Sequence, residues 1–183
     1  PFVSTYGYAA TLRYGAFRAS SSSGSMLTER QLRAAAEIAE RTGIDAAMID
    51  RVVRAFYGKV REDEVLAPVF AARITDWEPH LARMCEFWSS VALMTGVYHG
   101  RPMEKHLPLP VDGRHFDRWL RLFRETAREV CPPVAAAHFI ERAERIAQSL
   151  EMGIAVAQGI LLTNGARLQR PDGEVFWPAA AQA

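Results

Sequence analysis

The stretch DWEPHLARMCEFWSSVALM, residues 76–94, decides the class of fold. Asp76 followed by Pro79 marks a helix start, because a proline in the first turn gives up an N–H that would have no partner there. His80, Met84, Phe87, Trp88 and Val91 then recur at i, i+4, i+7, i+8 and i+11, one apolar stripe headed by a titratable ring. The same helical period continues on both sides, and no alternating strand or hairpin pattern interrupts it. The class is therefore all-α.

Upstream, Thr28 and Gln31 form a capping-box pattern that opens a helix ending near Thr42-Gly43, and Asp45 can cap the next one. That second helix carries Ile49, Val52, Val53, Phe56 and Val60 on one face, with Tyr57 on its edge. Pro68, in Ala67-Pro68-Val69-Phe70, forces a bend that presents Phe70 from a short turn. Downstream, Gly96, Gly100, Pro102, Pro108, Pro110 and Gly113 leave room for about one turn at residues 103–107, which carries His106. Helix resumes near Arg114 with Phe116, Trp119, Leu120 and Phe123 on one face, and stops at Cys131-Pro132-Pro133. A last helix reaches about Gln158 along Phe139, Ala143, Ile146, Leu150 and Ile154.

With 183 residues, 49% of them hydrophobic and 23% charged, the chain suits one domain with a sizeable core. That domain is expected over residues 28–159. Residues 1–27 contain Arg13, Arg18 and a run of serines without an acidic residue. They are read as a disordered or non-native extension rather than a targeting segment. Residues 160–183 read as a loop-like tail whose Val175-Phe176-Trp177 could dock on the domain.

The net charge of +1, with acidic residues interleaved among the arginines, excludes a phosphate-binding stripe and argues against nucleic acid. Cys85 and Cys131 are too few for a disulfide framework and belong to no zinc-type cluster, so a reducing cytoplasm is the default. No apolar run reaches the ~18 residues that a membrane span needs.

Chemistry must then come from polar groups set into the apolar faces: His80, His106 on its proline-pinned turn, the Tyr57 O–H and the Trp119 indole N–H. From residues alone, His106 could be a solvated loop histidine and His80 an exposed first-turn one. Tyr57 and Trp119 could be core edges bonded to backbone, and Phe70, Met84, Phe87 and Trp88 ordinary core. Neither His99 nor His138 competes with His106 as a ligand, and His115, near a helix N-terminus, is expected to be exposed.

Five separated motifs, in order and spacing, resemble group III truncated haemoglobins: Phe56-Tyr57-Gly58-Lys59-Val60-Arg61, Asp76-Trp77-Glu78-Pro79-His80, Cys85-Glu86-Phe87-Trp88-Ser89-Ser90, Gly100-Arg101-Pro102-Met103-Glu104-Lys105-His106-Leu107 and His115-Phe116-Asp117-Arg118-Trp119-Leu120. The resemblance covers roughly residues 44–153 and leaves both termini outside. It implies a compressed globin fold, two crossed helix pairs around a b-type haem, with His106 as the proximal iron ligand and Met103 on the same side. It implies Tyr57 and Trp119 as distal hydrogen-bond donors to dioxygen or a similar diatomic ligand, and His80 as a gate at the pocket mouth or itself an iron ligand when no gas is bound. Phe70, Met84, Phe87 and Trp88 would wall the haem, and Arg83 and Lys105 would reach its propionates. The alternatives are a haem enzyme with peroxidase-type or nitric oxide-oxidising activity and an unknown redox partner, or a haem-free helical interaction module. The expected assembly is a monomer or weak homo-oligomer.

Overall fold

Seven helices and no strand occur among the described residues, 29–163 and 165–169 of this computed structural model. In chain order they are α1 (Glu29–Thr42), α2 (Ala46–Glu62), α3 (Ala67–Ala71), α4 (Trp77–Leu93), α5 (Pro102–His106), α6 (Gly113–Val130) and α7 (Pro133–Ala157). Their boundaries have local causes. Gly43 ends α1 in left-handed backbone, φ 73°. The Asp45 carboxylate accepts from the Met48 N–H at 2.8 Å to open α2, and that of Asp76 accepts from the Glu78 N–H at 3.2 Å to open α4. The bend expected at Pro68 is the short helix α3, which leaves Phe70 half-buried. The Thr28 cap and the docking of Val175-Phe176-Trp177 lie outside the described residues.

The apolar stripes explain how these helices assemble. α2 packs on α4 and α6 packs on α7, while α2 also crosses α6 and so joins the two pairs. Phe56 of α2 lies edge-on to Phe123 and Trp119 of α6, with ring centroids 5.2 and 5.3 Å away. Trp88 of α4 stacks on Phe123 at 4.7 Å. Such pairs add about 0.5–1.5 kcal/mol each to the burial of the rings themselves. A second cluster of Val69, Val111, Phe116, Ile154 and Leu168 closes the other end of the domain. No helix among the described residues is long and apolar enough to cross a membrane.

Two features differ from what helical periodicity predicts. His115 is 7% exposed rather than solvated. Sitting at the third position of α6, its side chain folds back on the helix cap, with Nδ1 3.2 Å from the Asp112 backbone N and 2.9 Å from Asp112 Oδ1. Helix geometry favours this return, which turns a first-turn histidine into part of a capping box. The second is the tail, where Leu168 is 1% exposed and packs inside the second cluster. Periodicity is blind to it because Leu168 belongs to no helix.

Burial pushes the Asp112 carboxyl up, but its hydrogen bonds to Arg114 and His115 outweigh this and hold it at about 2. The unfolded carboxyl titrates near ~3.9, so the stabilisation is fully present above that pH and is lost as pH falls through about 2. Asp112→Asn is expected to cost about 1–2 kcal/mol at pH 7. Urea unfolding should show the gap from wild type closing between pH 4 and pH 2.

Candidate functional site

α5 is too short to be held by its own hydrogen bonds, so Pro102 at its start and its packing on α7 set it in place. His106 ends α5, half-buried, with Nδ1 2.7 Å from the Pro102 carbonyl oxygen. A carbonyl only accepts, so Nδ1 carries the proton and Nε2 keeps its lone pair. A backbone carbonyl that fixes tautomer and ring orientation in this way is the usual support of a metal-binding imidazole. Among the described residues no group of three or more His, Cys, Asp or Glu side chains gathers as a cage for a bare metal ion.

Beside α5, between α4 and α7, runs a cleft of about 380 Å³ lined by Phe87, Val91, Met103, Ile146 and Leu150, with Arg142 and Arg145 also on its wall. The Met103 thioether occupies the space that a Cβ at residue 153 would take, so Gly153 is what admits it. An apolar slot with a few cationic groups suits a planar, greasy ligand bearing carboxylates.

Tyr57 is buried on α2, and its ring meets the His80 ring edge-on at 5.0 Å. Phe70 lies 5.8 Å from Tyr57, and Trp77 lies 5.7 Å from His80. Trp119 stacks on Phe123 at 5.3 Å and joins this group through Phe56, which touches both Tyr57 and Trp119. Among the described residues neither the Tyr57 hydroxyl nor the Trp119 indole N–H hydrogen-bonds to another protein group. His80 Nε2 is buried with no hydrogen-bond partner among the described residues.

That orphaned nitrogen has a defined state. Burial, and then the Arg83 guanidinium, hold the His80 ring below its ordinary pKa and hence neutral at pH 7. Burial pushes the Tyr57 phenol well above its usual range, so it remains an O–H donor. A buried polar atom without a partner is costly, so this nitrogen is a bonding position that a water, an ion or a ligand can complete.

The remaining residues singled out by sequence fall into separate environments. Met84 and Phe87 are half-buried against the main core, and Phe87 also lines the cleft. Trp88 is 2% exposed and lies against Phe123 and Phe139, inside the core. Arg83 and Lys105 are exposed. Trp77, Arg142 and Arg145 have no role in the sequence reading, yet the first touches His80 and the other two line the cleft. The signal for the arginines was weak but present: they stand four and one residues before Ile146, flanking its stripe.

Two crossed helix pairs, a carbonyl-oriented imidazole and an orphaned buried histidine define the class, a small globin-like helical protein whose residues fit a haem. The bacterial-like globin family model matches residues 38–152. Over 113 residues the chain is 34% identical to the group 3 truncated hemoglobin of Campylobacter jejuni, covering 59% of this chain and 89% of that protein. The crystal structure of the Campylobacter jejuni group III truncated hemoglobin superposes with a TM-score of 0.56 at 33% identity, over 67% of this chain and 95% of that one. The hemoglobin of Chloroflexus aurantiacus gives a TM-score of 0.51 at 25% identity, over 62% and 95%. The chain therefore belongs to the bacterial-like globins and, within them, to the group III truncated haemoglobins, and membership implies a haem cofactor and a haem-based ligand-binding role.

NMR titration of the apoprotein should give His80 a midpoint below ~6.5, the unperturbed value. The neutral ring's contribution to stability is present above that value and is lost as pH falls through the depressed midpoint. Removing the titrating group in His80→Gln should flatten that limb of the pH–stability curve.

Proposed function

We propose that this protein binds dioxygen, or a related diatomic ligand, at the iron of a b-type haem held by His106. The observation that carries the reading is the bond between His106 Nδ1 and the Pro102 carbonyl, which leaves the Nε2 lone pair available to a metal. Haem, when bound, supplies a metal centre that takes the ligand and shifts electron density onto it. Tyr57 O–H and Trp119 N–H donate to that ligand, held in place by the ring contacts of Tyr57 with His80 and of Trp119 with Phe56. His80, neutral and against Tyr57, screens the distal side from water and offers Nε2 to an incoming ligand or to the metal.

Phe70, Met84, Phe87 and Met103 supply apolar contact and exclude water, and Trp88 supports that wall from the core. Arg83 and Lys105 are free to extend toward the haem carboxylates, joined by Arg142 at the cleft.

Ferrous and ferric absorbance spectra of the haem-loaded protein, with and without carbon monoxide, test the assignment. Wild type is expected to show a Soret band and a carbon monoxide shift. His106→Gly should lose the histidine-ligated ferrous spectrum and regain it with added imidazole, and an unchanged spectrum would sink the proximal assignment.

Hydrogen bonds to a partly charged acceptor contribute about 1.5–3 kcal/mol. Tyr57→Phe is therefore expected to speed dioxygen dissociation by roughly 10- to 150-fold in stopped-flow measurements, with a smaller effect on carbon monoxide. A Tyr57-dependent turnover of peroxide or nitric oxide would instead mark the enzyme alternative.

A further inference from the structure

The globin-family match ends at residue 152, yet residues 167 and 168 grip the fold at the first residue of α6. The Leu168 N–H donates to Glu151 Oε1 at 2.8 Å, and the Leu168 carbonyl accepts from the Gly113 N–H at 2.8 Å. Arg167 Nε lies 3.0 Å from both Glu151 oxygens, Nη2 donates to the Gly113 carbonyl at 3.0 Å, and Nη1 reaches Asp117. Both backbone polar groups of Gly113 are thus held by the same two residues. The approach is tight: a Cβ at Gly113 would stand 3.1 Å from Glu151 Oε1 and 3.2 Å from the Leu168 carbonyl. Glu151 is 5% exposed, and Leu168 shares its cluster with Val111, against which Leu107 and Leu109 also pack.

Gly113 is the first residue of α6. His106 lies just upstream across residues 107–112, and Trp119 lies two turns downstream on the same helix. We infer that Glu151, Arg167 and Leu168 form a strap that fixes Gly113, and through it the register between the turn carrying His106 and the helix carrying Trp119. They are positioning residues, acting through backbone rather than touching haem or ligand. A planar guanidinium suits the task because its rigid fork holds a carboxylate and a carbonyl in fixed geometry, whereas a lysine offers a single point charge on a flexible stem. With the strap released, residues 107–112 can shift and re-aim the imidazole. The inference rests on His106 as the iron ligand.

The test uses the full-length, haem-loaded protein and two readouts. In Arg167→Ala, amide hydrogen exchange over residues 107–113 should accelerate by ~10-fold or more. In the same variant the iron–histidine stretching band of the ferrous protein, read by resonance Raman, should shift or broaden. Arg167→Lys should restore only part of both effects, and Asp117→Ala, which removes the outer contact alone, should stay near wild type. An unshifted band in Arg167→Ala, with His106 established as ligand by the glycine variant, overturns this inference alone, and so does unaltered exchange at Gly113. A band that survives His106→Gly overturns the ligand assignment and this inference with it.

Discussion

The crossing of α2 over α6 at Phe56 is the contact on which the placement of Tyr57 and Trp119 depends. Phe56 is 1% exposed and presents its ring edge-on to Tyr57, Trp119 and Phe123. No side chain smaller than an aromatic could reach all three, and a core packed to crystal-like density leaves no slack to compensate. Because Tyr57 follows Phe56 on the same helix, and Trp119 and Phe123 lie one turn apart on α6, seating Phe56 seats both the Tyr57 and the Trp119 side chains. The wall is rigid for a reason unrelated to ligand: it is the core of the fold.

The two histidines assigned to the site meet opposite fates, and the difference is chemical. His106 has a strong acceptor on Nδ1, the arrangement that a metal-binding imidazole needs. His80 is held neutral by burial and has nothing at Nε2, which leaves an unmet bonding requirement among the aromatic rings of Tyr57 and Trp77. A third, His115, is spent on a helix cap, and a fourth, His138, lies with Nε2 2.8 Å from the Ala92 carbonyl. Hydrogen bonding sets His80 and His115 apart, whereas His106 and His138 each rest one ring nitrogen on a backbone carbonyl and differ in the helix that carries them.

Buried carboxylates hold the joints between helices. Asp63 ends α2, accepts from the Val65 and Leu66 N–H groups and pairs with Arg118 of α6. Burial alone would raise its carboxyl, but the Leu66 amide and Arg118 outweigh that and hold it below its usual range. Asp112 opens α6 and Glu151 ties α7 to residues 167 and 168. Each sits where backbone N–H groups have no helical partner, so the buried charge is met by several donors and does not lie stranded.

Helix boundaries were legible in the sequence because their causes are local: Asp45, Asp76 and Pro133 act within one turn, and the period of apolar residues is the period of the helix. The motifs around Tyr57, His80, His106 and Trp119 were legible for the same reason, each being a short run. What the chain alone could not decide depends on partners far apart along it. The burial of Trp88 between Phe123 and Phe139, the place of Arg142 beside Met103, and the grip of Arg167 on Gly113, fifty-four residues away, exist only once the helices have crossed. Backbone propensity acts over a few residues, whereas a hydrogen bond or a ring contact acts over a few ångströms, and only the folded chain makes distant residues near.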